Sequence, residues 1–230
     1  MVLANELQGG RYKRNFKSLT LEEQLKLESS TVAIIGCGGI GGYLAEEFAR
    51  LGVGHLILID GDRIEESNLN RQLFALEENL GVLKVEAAQN RLLKINSSIK
   101  VDTHAQWFTE ETGASLLKNA ALVCDALDNG QTRVGLERVC HGLNTPLVLT
   151  GIGGWYGMLG ISFPGDFIAP KLFKKERGVE EQLGNPAFAP AVIASLAVAE
   201  AVKILIGRSP ALGHRFLYID LLNMDFYKIE

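Results

Sequence analysis

Short apolar runs and longer amphipathic stretches alternate along most of this chain. Residues 31–36 (TVAIIG) and 55–60 (HLILID) are β-branched or leucine-rich runs closed by glycine or aspartate, and residues 41–52 between them carry helical periodicity. Together they predict a strand, a helix and a strand. The alternation continues with a helix over about 84–95, a strand near 100–105, a helix over about 110–118, a buried strand at 121–125, a helix near 131–141 and a strand at 146–150. Strands and helices in this order predict an α/β fold, a mostly parallel sheet with helices on both faces.

After Gly151 the pattern changes. Residues 157–163 read as a strand, residues 164–189 as a charged, proline-punctuated loop, residues 189–206 as a long apolar helix, and residues 216–220 and 225–229 as a final strand pair. A loop of that length in a compact domain points to function or mobility. The predicted organisation is an amino-terminal arm over residues 1–30, a nucleotide-binding core over 31–151, and a carboxyl-terminal extension over 152–230 that belongs to the same globular unit. The apolar helix is long enough for a short membrane span, yet it carries Glu200 and Lys203 three residues apart and opens at Pro190, so it reads as a buried helix.

Composition narrows the function classes. Among 230 residues, 23 Lys+Arg face 27 Asp+Glu, a net charge of -4 that argues against a surface built to neutralise nucleic-acid phosphates. The start, MVLANELQGGRYKRNF, has no apolar core of signal-peptide length, which predicts a cytoplasmic protein. Three cysteines, Cys37, Cys124 and Cys140, are too few and too far apart for a disulfide framework or a zinc knuckle within the chain.

Chemistry enters with Gly36-Cys37-Gly38-Gly39-Ile40-Gly41, directly after the first predicted strand and at the start of a helix. Glycines there permit the turn and let backbone amides approach a phosphate at the helix's positive end. Asp60, at the end of the second strand, stands where an acidic side chain accepts both ribose hydroxyls. This predicts a nucleotide and leaves NAD, FAD and ATP open.

The next segment favours ATP. Asp60-Gly61-Asp62 runs into Ser67-Asn68-Leu69-Asn70-Arg71-Gln72, and Lys84 opens a helix. Arg71 and Lys84 suit the neutralisation of a triphosphate, which hydride transfer does not require. Asp128, in DALDN just beyond a central strand, lies on the sheet edge where ligands of open α/β sheets bind and suits Mg²⁺. The four histidines fall at strand starts, a helix end and a turn, which suits structural roles.

These motifs together resemble the ThiF/MoeB/HesA family, bacterial relatives of the ubiquitin-activating E1 enzymes. Arg11-Tyr12-Lys13-Arg14 is similar to the family's RYxRQ motif, and it is followed by GCGGIGG, LIDGDRIEESNLNRQ, GVLKVE and DALDN, so the likeness covers roughly residues 11–230. The resemblance implies a Rossmann-like fold and ATP-dependent adenylation of the carboxyl-terminal glycine of a ubiquitin-fold sulfur carrier ending in Gly-Gly. It implies that Gly36, Gly38, Gly39, Gly41 and Asp60 hold adenosine, with Asp62 and Ser67 in the same nucleotide site. Asn68, Arg71, Gln72 and Lys84 would hold the phosphates, and Asp128 the magnesium. It implies a homodimer in which Arg14 reaches the partner's site.

Two departures concern cysteine. Many family members carry paired CxxC motifs for zinc; here the corresponding region reads FPGDFIAP, and residues 144–230 contain no cysteine, which predicts a zinc-free protein without a thioester cysteine in the crossover loop. Trp155 and Tyr156 follow a predicted turn over residues 151–154 and are candidates for a narrow channel for the carrier's tail. Alternatives within the same chemistry are a carboxylate on a modified tRNA base or a short peptide. Outside it are an NAD oxidoreductase and a catalytically inactive nucleotide-binding scaffold.

Overall fold

A computed structural model describes residues 10–173 and 180–230. The first half follows the predicted alternation: α1 (Leu21–Ser29), β1 (Thr31–Ile35), α2 (Gly39–Leu51), β2 (His55–Ile59), α3 (Lys84–Ile95), β3 (Lys100–His104), α4 (Glu110–Leu117) and β4 (Leu122–Asp125). Then come α5 (Gly130–Gly142), β5 (Leu147–Gly153), β6 (Tyr156–Ser162), two helical turns α6 (Ala169–Leu172) and α7 (Glu180–Leu183), the long α8 (Phe188–Ile206), β7 (Phe216–Asp220) and β8 (Asp225–Ile229).

The eight strands described form one sheet in the order β3-β2-β1-β4-β5-β6-β7-β8. The first five run parallel and the last three pair antiparallel, as the sequence pattern predicts. Strand alternation explains why TVAII is apolar throughout. Val32 and Ile34 join Leu56, Leu58, Leu122 and Cys124 on the face covered by α2, α3 and α8, while Ala33 and Ile35 join Ile57, Ile59 and Val123 on the face covered by α4 and α5. A sheet buried on both sides leaves no position for the polar half of an alternating pattern.

α8 packs against α2 and the sheet, burying Ile193, Ala194, Ala197, Val198 and Ala201. Among the described residues it is the helix long and apolar enough to cross a membrane, and it serves here as a core helix. Its buried Glu200 pairs with Lys203 and accepts a bond from the Leu212 amide at 3.2 Å, which compensates the charge inside an apolar layer.

Three boundaries differ from the sequence reading. α2 begins at Gly39, two residues earlier than its periodicity suggests, because the glycines themselves take helical geometry behind the Gly38 cap. β5 continues to Gly153, because antiparallel pairing with β6 holds the chain extended as far as Gly153 opposite Tyr156. The turn is therefore Gly154-Trp155, with Gly154 at a positive φ of 58°. The predicted loop over 164–189 contains α6, α7 and the start of α8, and its residues 174–179 lie outside the described residues, as do residues 1–9 of the predicted arm.

Candidate active site

The strand order places β1 between β2 and β4, so the chain leaves β1 toward one half of the sheet and reaches β4 in the other. A crevice at the carboxyl ends of β1 and β4 follows from that topology. There the structure has a cavity of about 760 Å³, walled by the turn after β1, the segment after β2, the DALDN turn after β4, and residues of β5 and β6.

Each predicted site residue has a definite place. Gly36, Gly38 and Gly39 line the cavity, and Gly38 caps α2 with no side-chain bond to the first helical turn. That turn carries no acidic residue, so its amides and the helix dipole face the cavity uncompensated. Gly41 does not line the cavity. A Cβ there would sit 1.8 Å from the Gly36 carbonyl oxygen, so its role is the close packing of α2 on the turn. Gly36, at a φ of 97°, lies against the Ala126 carbonyl, where a Cβ would come to 2.5 Å. The β1 and β4 turns therefore touch.

Asp60 is buried, and its carboxylate accepts the Cys37 amide at 2.7 Å and the Asp62 amide at 2.7 Å. Those two bonds tie the glycine turn to the end of β2 and leave lone pairs on the carboxylate for a diol. Lys84, at the first position of α3, is buried and pairs with Asp62 at 2.7 Å. Asn68 fastens its own turn by accepting the Glu65 amide at 3.1 Å. Arg71 donates to the Ser67 carbonyl and the Asn70 side chain, both at 2.9 Å, and has no carboxylate partner among the described residues. Gln72 is buried beside Gly38, with its Oε1 lacking a hydrogen-bond partner. Asp128 lines the cavity, and no partner is described for its carboxylate.

Two predicted residues stand apart. Ser67 does not line the cavity; its hydroxyl accepts from Asn68 Nδ2 at 3.3 Å. Arg14 is exposed and outside the cavity. Its neighbour Tyr12 is buried over Gly52 and accepts a 2.8 Å bond from Asn96, which anchors the arm and leaves Arg14 at the surface.

The sequence reading missed several cavity residues. Arg133 lines the cavity and forms a buried ion pair at 3.3 Å with Asp125, which lies behind the wall at the end of β4. Burial holds the Asp125 carboxyl above its ordinary value, and the Arg133 charge offsets only part of that rise. Asn185, Phe173 and Tyr218 also line the cavity, and Asn185 presents a buried Oδ1 with no partner. These come from the predicted loop and the last strands, where no local motif marks a site. Trp107, an exposed residue packed on Gly61, forms one rim, and Tyr156 lies in the wall with Tyr218 6.1 Å away. Trp155 stays outside the cavity and packs on Phe188 at 4.5 Å.

Among the described residues the lining holds Arg63, Arg71, Lys84 and Arg133 against Asp60, Asp62, Glu65 and Asp128, four charges of each sign. A doubly wound sheet with an uncapped glycine turn at its switch point, facing charges of both signs, has the architecture of the nucleotide-binding α/β class. The chain belongs to the ThiF family, whose sequence profile matches residues 12–230.

Two relatives are the mosquito proteins named adenylyltransferase and sulfurtransferase MOCS3. That of Aedes aegypti is 33% identical over 237 residues, covering 98% of this chain and 54% of the relative. That of Culex quinquefasciatus is 31% identical over 233 residues, covering 96% and 52%. The chain thus spans about half the length of these relatives. Among solved structures, E. coli MccB with ATP superimposes with a TM-score of 0.81 at 25% identity, covering 97% of this chain and 72% of that one. E. coli MccB with AMPCPP and MccA gives 0.80 at 26%, covering 95% and 70%.

Proposed function

We propose that this chain is an E1-like adenylyltransferase that uses ATP to activate the carboxyl-terminal glycine of a ubiquitin-fold carrier ending in Gly-Gly. The observation that carries the reading is the convergence, on one crevice, of the uncapped α2 terminus, Arg71, Lys84 and Asp128. A carboxylate and a triphosphate repel each other, so catalysis consists of holding both in line and cancelling charge. No side-chain nucleophile is required.

In this mechanism Asp60 accepts the ribose hydroxyls while the glycine turn leaves room for the backbone to approach. Arg71 and Lys84 hold the phosphates, and a carboxylate oxygen attacks the α-phosphorus as its bond to the bridging oxygen breaks and pyrophosphate leaves. A divalent cation would lower the charge of the triphosphate that Arg71 and Lys84 hold. Asp128, a carboxylate in the cavity wall, would hold Mg²⁺, and the ion would supply charge neutralisation at phosphorus.

The chemistry of this chain's own residues stops at the acyl-adenylate. Cys37, Cys124 and Cys140 are buried, and burial raises every thiol, Cys140 to about 12, so none is placed or ionised to accept the acyl group. Arg14, exposed near the anchored Tyr12, is the residue a second copy would receive in a homodimer.

The test is ATP–pyrophosphate exchange with ubiquitin-fold proteins from the same cell. Exchange that requires the intact terminal Gly-Gly is the expected result. Exchange driven instead by a short peptide, or stimulated by RNA, would replace the carrier by another carboxylate, and NAD⁺ reduction in place of exchange would end the adenylation reading.

A further inference from the structure

We propose that Arg133 is a positioning residue for the turn that carries Asp128, locked in that role by Asp125 on one side and Phe173 on the other. The proposal rests on the ATP reading above and assigns Arg133 no contact with the nucleotide.

A guanidinium in the wall of a polyanion site would ordinarily be read as a phosphate ligand. The contacts of this one point elsewhere. Its Nε lies 3.3 Å from Asp125 Oδ2, one Nη donates to the Leu127 carbonyl, and its Cζ sits 4.0 Å from the centroid of the Phe173 ring. The Asp125 carboxylate in turn accepts the Leu127 amide at 2.9 Å, and its backbone carbonyl is held by Thr150 Oγ1 at 2.6 Å.

One buried ion pair therefore grips both polar groups of Leu127: the amide through Asp125 and the carbonyl through Arg133. The next residue is Asp128. With the preceding residue fixed at both ends, the backbone that carries the Asp128 side chain is held at the cavity wall, and among the described residues its carboxylate has no hydrogen-bond partner. Outer groups that orient a ligand tune metal binding, and here the orientation is set through the backbone of the turn. Phe173 shields the remaining face of the guanidinium, and the cation–π contact favours the charge where it lies. Phe173 of the crossover segment thus contributes to the Asp128 turn through its aromatic ring.

The test separates positioning from phosphate contact by titrating ATP calorimetrically, once in EDTA and once with Mg²⁺. The proteins compared are the wild type, R133Q, F173L, F173Y, D128N and the R133Q/D128N double variant. In R133Q the Mg²⁺-dependent gain in affinity should fall by about tenfold or more, as for outer residues that orient a metal ligand, while affinity in EDTA stays within about twofold. The double variant should lose no more of that gain than D128N alone, since both changes remove the same contribution.

F173L keeps an apolar side chain without the aromatic face and should lose several-fold of the Mg²⁺ gain, and F173Y should retain it. A fall in EDTA affinity as large as the fall with Mg²⁺ would show direct phosphate contact and overturn the proposal. So would an unchanged Mg²⁺ gain in both R133Q and F173L. Should R133Q fail to fold because Asp125 is left buried without its partner, the F173L and F173Y pair decides alone. If wild-type protein binds no ATP under either condition, the ATP reading itself falls, a result distinct from any change among the variants.

Discussion

Arg71→Ala and Asp128→Asn are each expected to lower acyl-adenylate formation by at least about 10²-fold, the usual loss when one preorganised charge is removed from a developing anionic centre. Both should leave the fold intact. Among the described residues Arg71 bonds to the Ser67 carbonyl and Asn70 Oδ1 and the Asp128 carboxylate has no partner, so neither change strands a buried charge there. The expected stability change is within about 0.5 kcal/mol, as for substitutions away from packed or paired groups.

Lys84 is a poorer probe, because removing it leaves Asp62 without its 2.7 Å partner. Exchange assays paired with thermal melts check the prediction. Activity surviving both substitutions would mean that the cavity holds a ligand of different charge. Melting far below the wild type would mean that the assay reads unfolding.

A second large effect is structural. Gly41→Val should destabilise the protein by more than about 3 kcal/mol, at the upper end of the cost of overpacking. The first atom of any side chain there would meet the Gly36 carbonyl oxygen at 1.8 Å and its carbon at 2.8 Å. Both belong to the turn that must stay in place, and neither is the flexible end of a side chain. α2 would have to move off the sheet, exposing Leu44 and Phe48, which are fully buried. Denaturant unfolding of Gly41→Ala and Gly41→Val measures this, and midpoints equal to the wild type would show that the turn and helix separate freely.

Much of this was legible in the sequence because it is local. The alternation of TVAIIG, helical spacing and HLILID needs only neighbouring residues, and the glycine turn, Asp60, Arg71, Lys84 and Asp128 each follow a strand or open a helix at a fixed offset. Physics acting across the chain was less legible. The Arg133–Asp125 pair joins a helix to a strand end through burial, and although Asp125 opens the DALDN motif, nothing in the helix marks Arg133 as its partner. Phe173, Asn185 and Tyr218 reach the cavity because the segment between β6 and α8 and the antiparallel strands return over the crevice. The end of β5 was misjudged for the same reason. Gly151, Ile152 and Gly153 look like a turn in isolation, yet pairing with Met158, Gly157 and Tyr156 makes them strand.

The central claim is that this crevice binds Mg·ATP for attack by a carboxylate, and calorimetric titration of the purified wild-type protein tests it most directly, since no knowledge of the acyl substrate is required. Parallel titrations use Mg·ATP, NAD⁺ and NADH. The account predicts saturable binding of Mg·ATP at about one site per chain, weakened by removal of the metal, with no heat from either dinucleotide, as expected where the charges of the wall await a triphosphate and its cation. Binding of NAD⁺ or NADH with none of Mg·ATP would contradict it.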